Sequence, residues 1–129
     1  SKPVAEEYCE TSPGPARGRI GAHAFVFKKA RVADDELGEI LTVGFFSTIG
    51  ELELLPGKII FYHEGVRLVL EGSPVLDHLM KLESRGVVIM ICGTCVDHYK
   101  VKDRVRVGIV SNAYDILTAM SEAHHLVSP

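Results

Sequence analysis

Several things are missing from this sequence, and each absence removes a class of function. No apolar run approaches the length of a membrane span, so no membrane partner is expected. The opening residues are polar, acidic and proline-containing, which is not the pattern of a secretory signal. The 14 Lys and Arg residues are scattered and the formal net charge is −3. Without a basic stripe interleaved with aromatics, no nucleic-acid partner is expected. Gly-x-Gly-x-x-Gly is absent, and Ala30 to Glu36 contains no glycine, so no flavin or nucleotide cofactor is expected. Cysteine is scarce: there are 3, two of them in one CxxC. A small odd number speaks against a secreted disulfide scaffold and for a reducing, cytoplasmic setting. No second CxxC and no paired-histidine spacing accompanies that motif, so no metal is expected within one chain.

What is present is a chain of 129 residues, 47% of them hydrophobic, enough for one domain around one core. Residues 1–21 hold Pro3, Pro13, Pro15, Gly14, Gly18 and Gly21 without apolar periodicity, and read as a flexible tail or linker. Cys9 in this stretch reads as an incidental exposed thiol. Residues 22–129 read as the folded domain.

Within it, apolar runs alternate with helical patterns. His23 to Ala30 reads as a first strand. Asp34 and Asp35 open a helix, where their charge opposes the helix dipole. Leu37, Ile40, Leu41, Gly44, Phe45 and Thr48 follow at helical spacing, and Val43, Phe46 and Ile49 make the other faces apolar too. Such a helix is either central in the monomer or part of a subunit interface. Lys58 to Tyr62 reads as a second strand. Ser73 then reads as an N-cap with Pro74 at the first helical position, and Gly86 as the stop. Val87 to Ile91 is a third strand and Val105 to Val110 a fourth. Asn112 caps a last helix, and His125 to Ser128 reads as a short fifth strand. Strands alternating with helices imply a mostly parallel sheet covered on both faces.

The most informative stretch is Val87 to Tyr99. A buried strand ends at Cys92, a glycine follows, and Cys95 lies at the start of a short helix. The carboxyl ends of strands are where an α/β sheet gathers its chemistry. Amide groups at a helix start favour a thiolate.

Five segments together carry a family resemblance. They are Glu36-Leu37-Gly38, Ile60-Phe61-Tyr62-His63-Glu64-Gly65-Val66, Leu70-Glu71-Gly72-Ser73, Cys92-Gly93-Thr94-Cys95 and Gly108-Ile109-Val110-Ser111-Asn112. In this order and spacing the chain resembles the DsrE-like sulfur-relay family, in particular the C-terminal domain of YedF-type proteins. That type is named as sulfurtransferase-like and linked to selenium metabolism. The resemblance covers roughly residues 22–128. It implies a flavodoxin-like three-layer α/β/α fold on a five-stranded sheet, and homo- or hetero-oligomers. It also implies sulfur carried as a cysteine persulfide between a donor and an acceptor protein. The sulfur-carrying position is Cys92, and Cys95 is the second cysteine of a CxxC-bearing branch. His63 stands where that family would place asparagine. The small TusA-like domain that usually precedes this one in YedF-type proteins is not represented.

The residues suggest these roles. Cys92 is the persulfide site. Gly93 admits backbone close to its sulfur, and Thr94 is a candidate cap for the following helix. Cys95 either resolves the persulfide, expelling sulfide, or packs as a small hydrophobe. His98, three residues after Cys95, is a candidate proton shuttle or a solvated side chain. His63 and Asn112 are candidates to line the site, Asn112 also as a plain cap. Two competing functions are dithiol redox chemistry and a non-catalytic oligomeric scaffold.

Overall fold

The computed structural model describes residues 19–129. Cys9 and most of the expected tail lie outside the described residues. Residues 19–21 of that expected tail are engaged: β1 (Arg19–Ile20) pairs in parallel with β3 (Leu54–Leu55), and the Gly21 N–H donates to the Leu55 carbonyl at 2.7 Å.

The main sheet has five strands: β2 (Ala24–Phe27), β4 (Lys58–Phe61), β5 (Val88–Cys92), β6 (Ile109–Ser111) and β7 (Leu126–Val127). Their spatial order is β6-β5-β4-β2-β7, and every neighbouring pair is parallel. The helices between them are α1 (Glu36–Ile49), a 3₁₀ helix (His63–Val69), α2 (Leu76–Ser84), α3 (Gly93–Tyr99) and α4 (Ala113–Glu122). The topology explains the layers. From β2 to β6 each crossover steps one strand in the same direction, so right-handed connections place α1, α2 and α3 on one face. The last connection reverses direction to reach β7, which places α4 on the opposite face. The result is the three-layer α/β/α arrangement, with one helix in the second outer layer.

The strand pleat divides the core accordingly. Phe27, Ile59, Phe61, Ile89 and Ile91 pack with Phe46 and Ile49 of α1, Leu79 and Leu82 of α2 and Val96 of α3. Val26, Ile60 and Met90 pack against Ile116 and Ala119 of α4. At the centre of the first face the rings of Phe27, Phe46 and Phe61 meet at 4.6 to 6.1 Å. Burial of each such side chain contributes roughly 1.5–3 kcal/mol.

Local chemistry sets the element ends. The Asp35 carboxylate accepts from the Gly38 N–H at 2.7 Å and caps α1. Gly38 lies so close to the preceding loop that an added Cβ would stand 2.0 Å from the Ala33 carbonyl oxygen. Thr42, buried in α1, donates to the Gly38 carbonyl and accepts from the Val32 N–H, which pins the same loop.

Three expected boundaries are corrected. The first strand stops at Phe27, whose carbonyl accepts from the Tyr62 N–H at 3.1 Å as the last bond of the ladder to β4, and the chain bends away from Lys29 onward. The helix expected at Ser73-Pro74 begins at Leu76; Ser73 Oγ accepts from the Val75 N–H in a tight turn before it. The fourth strand is Ile109–Ser111, not Val105–Val110. Gly108 takes φ +90°, which breaks the strand and lets Val107 turn into the core. Val105 bridges Leu70 in the antiparallel sense instead.

Candidate functional site

Cys92 is the last residue of β5 and the N-cap of α3. It is half-buried and packs against the core on both faces of the sheet. Its register partner on β6 is Ser111. Cys95, three residues on, is half-buried against the first face. Both thiols are free.

The third member comes from the start of the 3₁₀ helix that follows β4. The backbone N–H of His63 donates to Cys95 Sγ at 3.1 Å. His63 sits in the left-handed region at φ +53°, which is uncommon for a residue with a side chain. That conformation turns the chain from β4 into the 3₁₀ helix and aims the amide at the sulfur. The helix is held against β2 because Gly65 leaves no room for a Cβ: one would stand 2.2 Å from the Phe27 carbonyl oxygen.

Burial pushes the Cys95 thiol above its ordinary range, and the neighbouring Cys92 thiol pushes the same way; the His63 N–H opposes both. Cys95 therefore keeps its proton at neutral pH.

The structure sorts the other expected residues. At Gly93 an added Cβ would stand 2.9 Å from the Ser111 carbonyl oxygen, so glycine is needed for the close approach of α3 to β6. Thr94 is not a cap. The helix starts one residue before it, Thr94 lies exposed in the first turn, and no side chain caps α3. Cys92 Sγ accordingly takes no bond from the free amides of that turn, contrary to the helix-start expectation. His98 is exposed, and its ring packs edge-on to Tyr99 at 5.4 Å. The His63 side chain is exposed as well, and its backbone makes the contact. Asn112 is the N-cap of α4, one residue beyond Ser111. It accepts from the Asp115 N–H at 2.8 Å and donates to the Asp115 carboxylate at 3.2 Å.

Sequence reasoning missed Arg67, whose guanidinium lies 4.5 Å from the centre of the Tyr99 ring. This cation–π contact ties the 3₁₀ helix to α3 beside the thiols. The segment Val66 to Leu70 gave no decisive pattern from which to foresee it.

Among the described residues, no group of three or more His, Cys, Asp or Glu side chains converges to hold a metal. A shallow cleft of about 250 Å³ lies at the carboxyl end of β2, lined by Lys28, Lys29, Arg31 and Val32 among others. It contains none of the thiol-site residues. No helix among the described residues is long and apolar enough to cross a membrane.

The DsrE/DsrF-like family profile matches residues 14–129. The chain belongs to the DsrE/DsrF-like family. Its fold is that of solved structures of the same size. A protein of unknown function from Methanobacterium thermoautotrophicum, MTH1491, is 18% identical, with TM-score 0.61 over 86% of this chain and 99% of that one. The ychN protein of E. coli is 15% identical, with TM-score 0.59 over 86% and 98%. BT1422 from Bacteroides thetaiotaomicron, also of unknown function, is 12% identical, with TM-score 0.55 over 84% and 95%. At these identities the likeness is one of fold. Among curated proteins, none matches the sequence.

Proposed function

We propose that this DsrE/DsrF-like chain is a sulfur carrier, holding a persulfide on Cys92 and passing its outer sulfur to a partner protein. One observation carries the reading: a half-buried pair of free thiols at the carboxyl end of an interior strand, with a backbone N–H donating to the second of them. The sulfur-relay character of the family and the Cys92-Gly93-Thr94-Cys95 motif support it. The YedF-type likeness rests on the ordered sequence motifs.

The chemistry balances without a cofactor. The Cys92 thiolate attacks the sulfane sulfur of a donor persulfide. A new S–S bond forms to Cys92, the donor's S–S bond breaks, and its electron pair leaves with the donor thiolate. In release, an acceptor thiolate attacks the outer sulfur and the Cys92 thiolate departs. Alternatively, the Cys95 thiolate attacks Cys92 Sγ and expels hydrosulfide. That leaves a Cys92–Cys95 disulfide, which an external dithiol must reduce. This last step is where a dithiol redox function would share the site.

Donor and acceptor are proteins bearing reactive cysteines. Association of copies is part of the proposal. The open edge strand β6 and α4 leave Ile109, Tyr114 and Leu117 at 61, 80 and 61% exposure. On α1, Leu37 and Ile40 are exposed too. The test of sulfur carriage is intact-protein mass spectrometry after incubation with a cysteine desulfurase and cysteine. A sulfur adduct on wild type and on Cys95→Ser, absent from Cys92→Ser, is expected. Loading that survives in Cys92→Ser would sink the assignment.

A further inference from the structure

We infer that Arg67 and Tyr99 form a clasp that holds the Cys95 sulfur on the His63 amide, and so are positioning residues that keep the second thiol from discharging sulfur held on Cys92. The role rests on the carrier reading of Cys92, while its test involves no sulfur transfer.

Two contacts join the 3₁₀ helix to α3, and they share one spacing. The His63 N–H donates to Cys95 Sγ at 3.1 Å. The Arg67 guanidinium lies 4.5 Å from the centre of the Tyr99 ring. Residues 63 and 67 are four apart, and so are 95 and 99. On α3 that spacing puts Cys95 and Tyr99 on one face, about 6 Å apart along the axis. On the 3₁₀ helix four residues advance about 8 Å. The two helices therefore run side by side in the same sense, joined by two rungs.

The rungs differ in what anchors them. At the first, His63 adopts left-handed backbone at φ +53°, which a residue with a side chain holds only where its surroundings enforce it. Cys95 is half-buried there against the first face of the core. At the second, Tyr99 is half-buried, packs on the same core and takes the His98 ring edge-on. Arg67 is exposed, and among the described residues no carboxylate pairs with it. Its charge faces the ring without a competing anion. Between the rungs Val66 and Val96 are fully buried, and Gly65 is pressed on the Phe27 carbonyl. The core thus fixes where the two helices lie, and the clasp closes their solvent side.

The consequence concerns discharge. For Cys95 to release sulfur, its thiolate must attack Cys92 Sγ. A Cys92–Cys95 bond forms, the bond to the outer sulfur breaks, and its electron pair leaves with hydrosulfide. An external dithiol then reduces the disulfide. To make that attack the Cys95 sulfur must leave the His63 amide. While the clasp is closed, amide and sulfur stay together and the persulfide waits for an acceptor protein.

The experiment reads how often the rungs part. In a Cys92→Ser background, iodoacetamide alkylation of Cys95 at pH 8 is followed by peptide mass spectrometry, with Arg67→Met, Tyr99→Leu or Tyr99→Phe added. Methionine keeps an apolar stem without the charge, and phenylalanine keeps the ring without the hydroxyl. Arg67→Met and Tyr99→Leu are expected to alkylate about two- to fivefold faster than the parent, the factor a surface cation–π contact contributes to an opening equilibrium. Tyr99→Phe is expected to match the parent. No acceleration in Arg67→Met, or acceleration in Tyr99→Phe equal to that in Tyr99→Leu, overturns the inference.

Amide hydrogen exchange by NMR separates a local clasp from a general loss of stability. Exchange at His63 should quicken by a similar factor in Arg67→Met, with Ile60 on β4 and Ile91 on β5 unchanged. Equal acceleration at all three would make the effect global and overturn the clasp. Failed sulfur loading of wild type with this pattern intact would refute the carrier reading alone.

Discussion

The backbone N–H of His63 points at Cys95 Sγ from 3.1 Å, across 32 residues of sequence. It joins the turn after β4 to the first turn of α3, and so couples two loops at the carboxyl edge of the sheet. Because the donor is an amide, the contact depends on backbone position at residue 63 and not on an imidazole.

The first prediction concerns the lifetime of the persulfide. Burial, and then the neighbouring Cys92 thiol, raise the Cys95 thiol above its ordinary range. The neutral form is favoured, so little Cys95 thiolate exists at pH 7 and attack on a Cys92 persulfide is slow. Hydrosulfide release from loaded protein should therefore rise roughly tenfold per pH unit from neutrality until the Cys95 thiol is titrated, because the rate follows its thiolate fraction. Trapping released sulfide as methylene blue measures this. Cys95→Ser should abolish the pH-dependent release and leave loading intact. The same slow release from wild type at every pH would contradict a resolving role.

Gly65 makes the second prediction. Its neighbour is the Phe27 carbonyl, 2.2 Å from where a Cβ would be, and both sides of the clash are backbone. Gly65→Ala must push the 3₁₀ helix off β2, at a cost of roughly 2–4 kcal/mol. Gly50→Ala is the control. Gly50 has ordinary α-helical dihedrals and its nearest neighbour is 3.6 Å away, so alanine there should be neutral or stabilising by about 0.5 kcal/mol. Urea unfolding of both variants decides the order. If Gly65→Ala is tolerated as well as Gly50→Ala, the 3₁₀ helix is not held in the way described.

Much of this was legible in the sequence, for identifiable reasons. The apolar runs at Lys58 to Tyr62 and Val87 to Ile91 are flanked by breakers, so β4 and β5 were readable to within a residue. Asp35 and Asn112 precede periodic segments and do cap them. The thiols were legible as a pair at a strand end. Other features depend on tertiary structure. Gly108 reads as one more strand residue until Val107 has to be buried. Ser73 and Pro74 have the composition of a helix start, but the turn that Ser73 closes delays it. The His63 amide and the Ser111 carbonyl against Gly93 left no trace, because side-chain patterns say nothing about which backbone groups will meet. Helical spacing put His98 on the Cys95 face as a proton shuttle or a solvated side chain, and its exposure and its edge-on contact with Tyr99 depend on packing that spacing does not show.

His23 gives a third prediction, about acid stability. Its ring lies at the amino end of β2, 5.9 Å from the Phe25 ring. Burial first, and then the charge of His125, lower its proton affinity. The unfolded chain therefore binds a proton more tightly than the folded one. Stability from this group is present above the ordinary histidine range, near pH 6.5, and is lost as pH falls through the lower folded value. The strain falls on β7, which is tied to β2 by the Ala24 N–H to His125 carbonyl bond at 2.9 Å. The midpoint of thermal unfolding should drop between pH 7 and pH 5 by less in His125→Gln than in wild type, and by less still in His23→Phe. Equal drops in all three would exclude this pair as the cause.

The last prediction concerns association. β6 is an edge strand whose outer hydrogen-bonding groups are unpaired in the five-stranded sheet, and it runs beside the apolar outer side chains of α4. An exposed edge flanked by apolar side chains favours pairing with another chain. Tyr114 and Leu117 lie three apart, so they share one side of α4. The same edge carries Ser111, the register partner of Cys92. A second copy seated there would cover one side of the thiol site and narrow its access. Light scattering at micromolar concentration should give a mass above that of one 14.1 kDa chain. Leu117→Asp should lower that mass without loss of helical signal, because Leu117 is 61% exposed and supports no core in the monomer. Leu37→Asp, on α1 and on the other face of the sheet, distinguishes the two surfaces. A drop in mass with Leu37→Asp alone would move the interface to α1, and a monomeric wild type would refute association through either face.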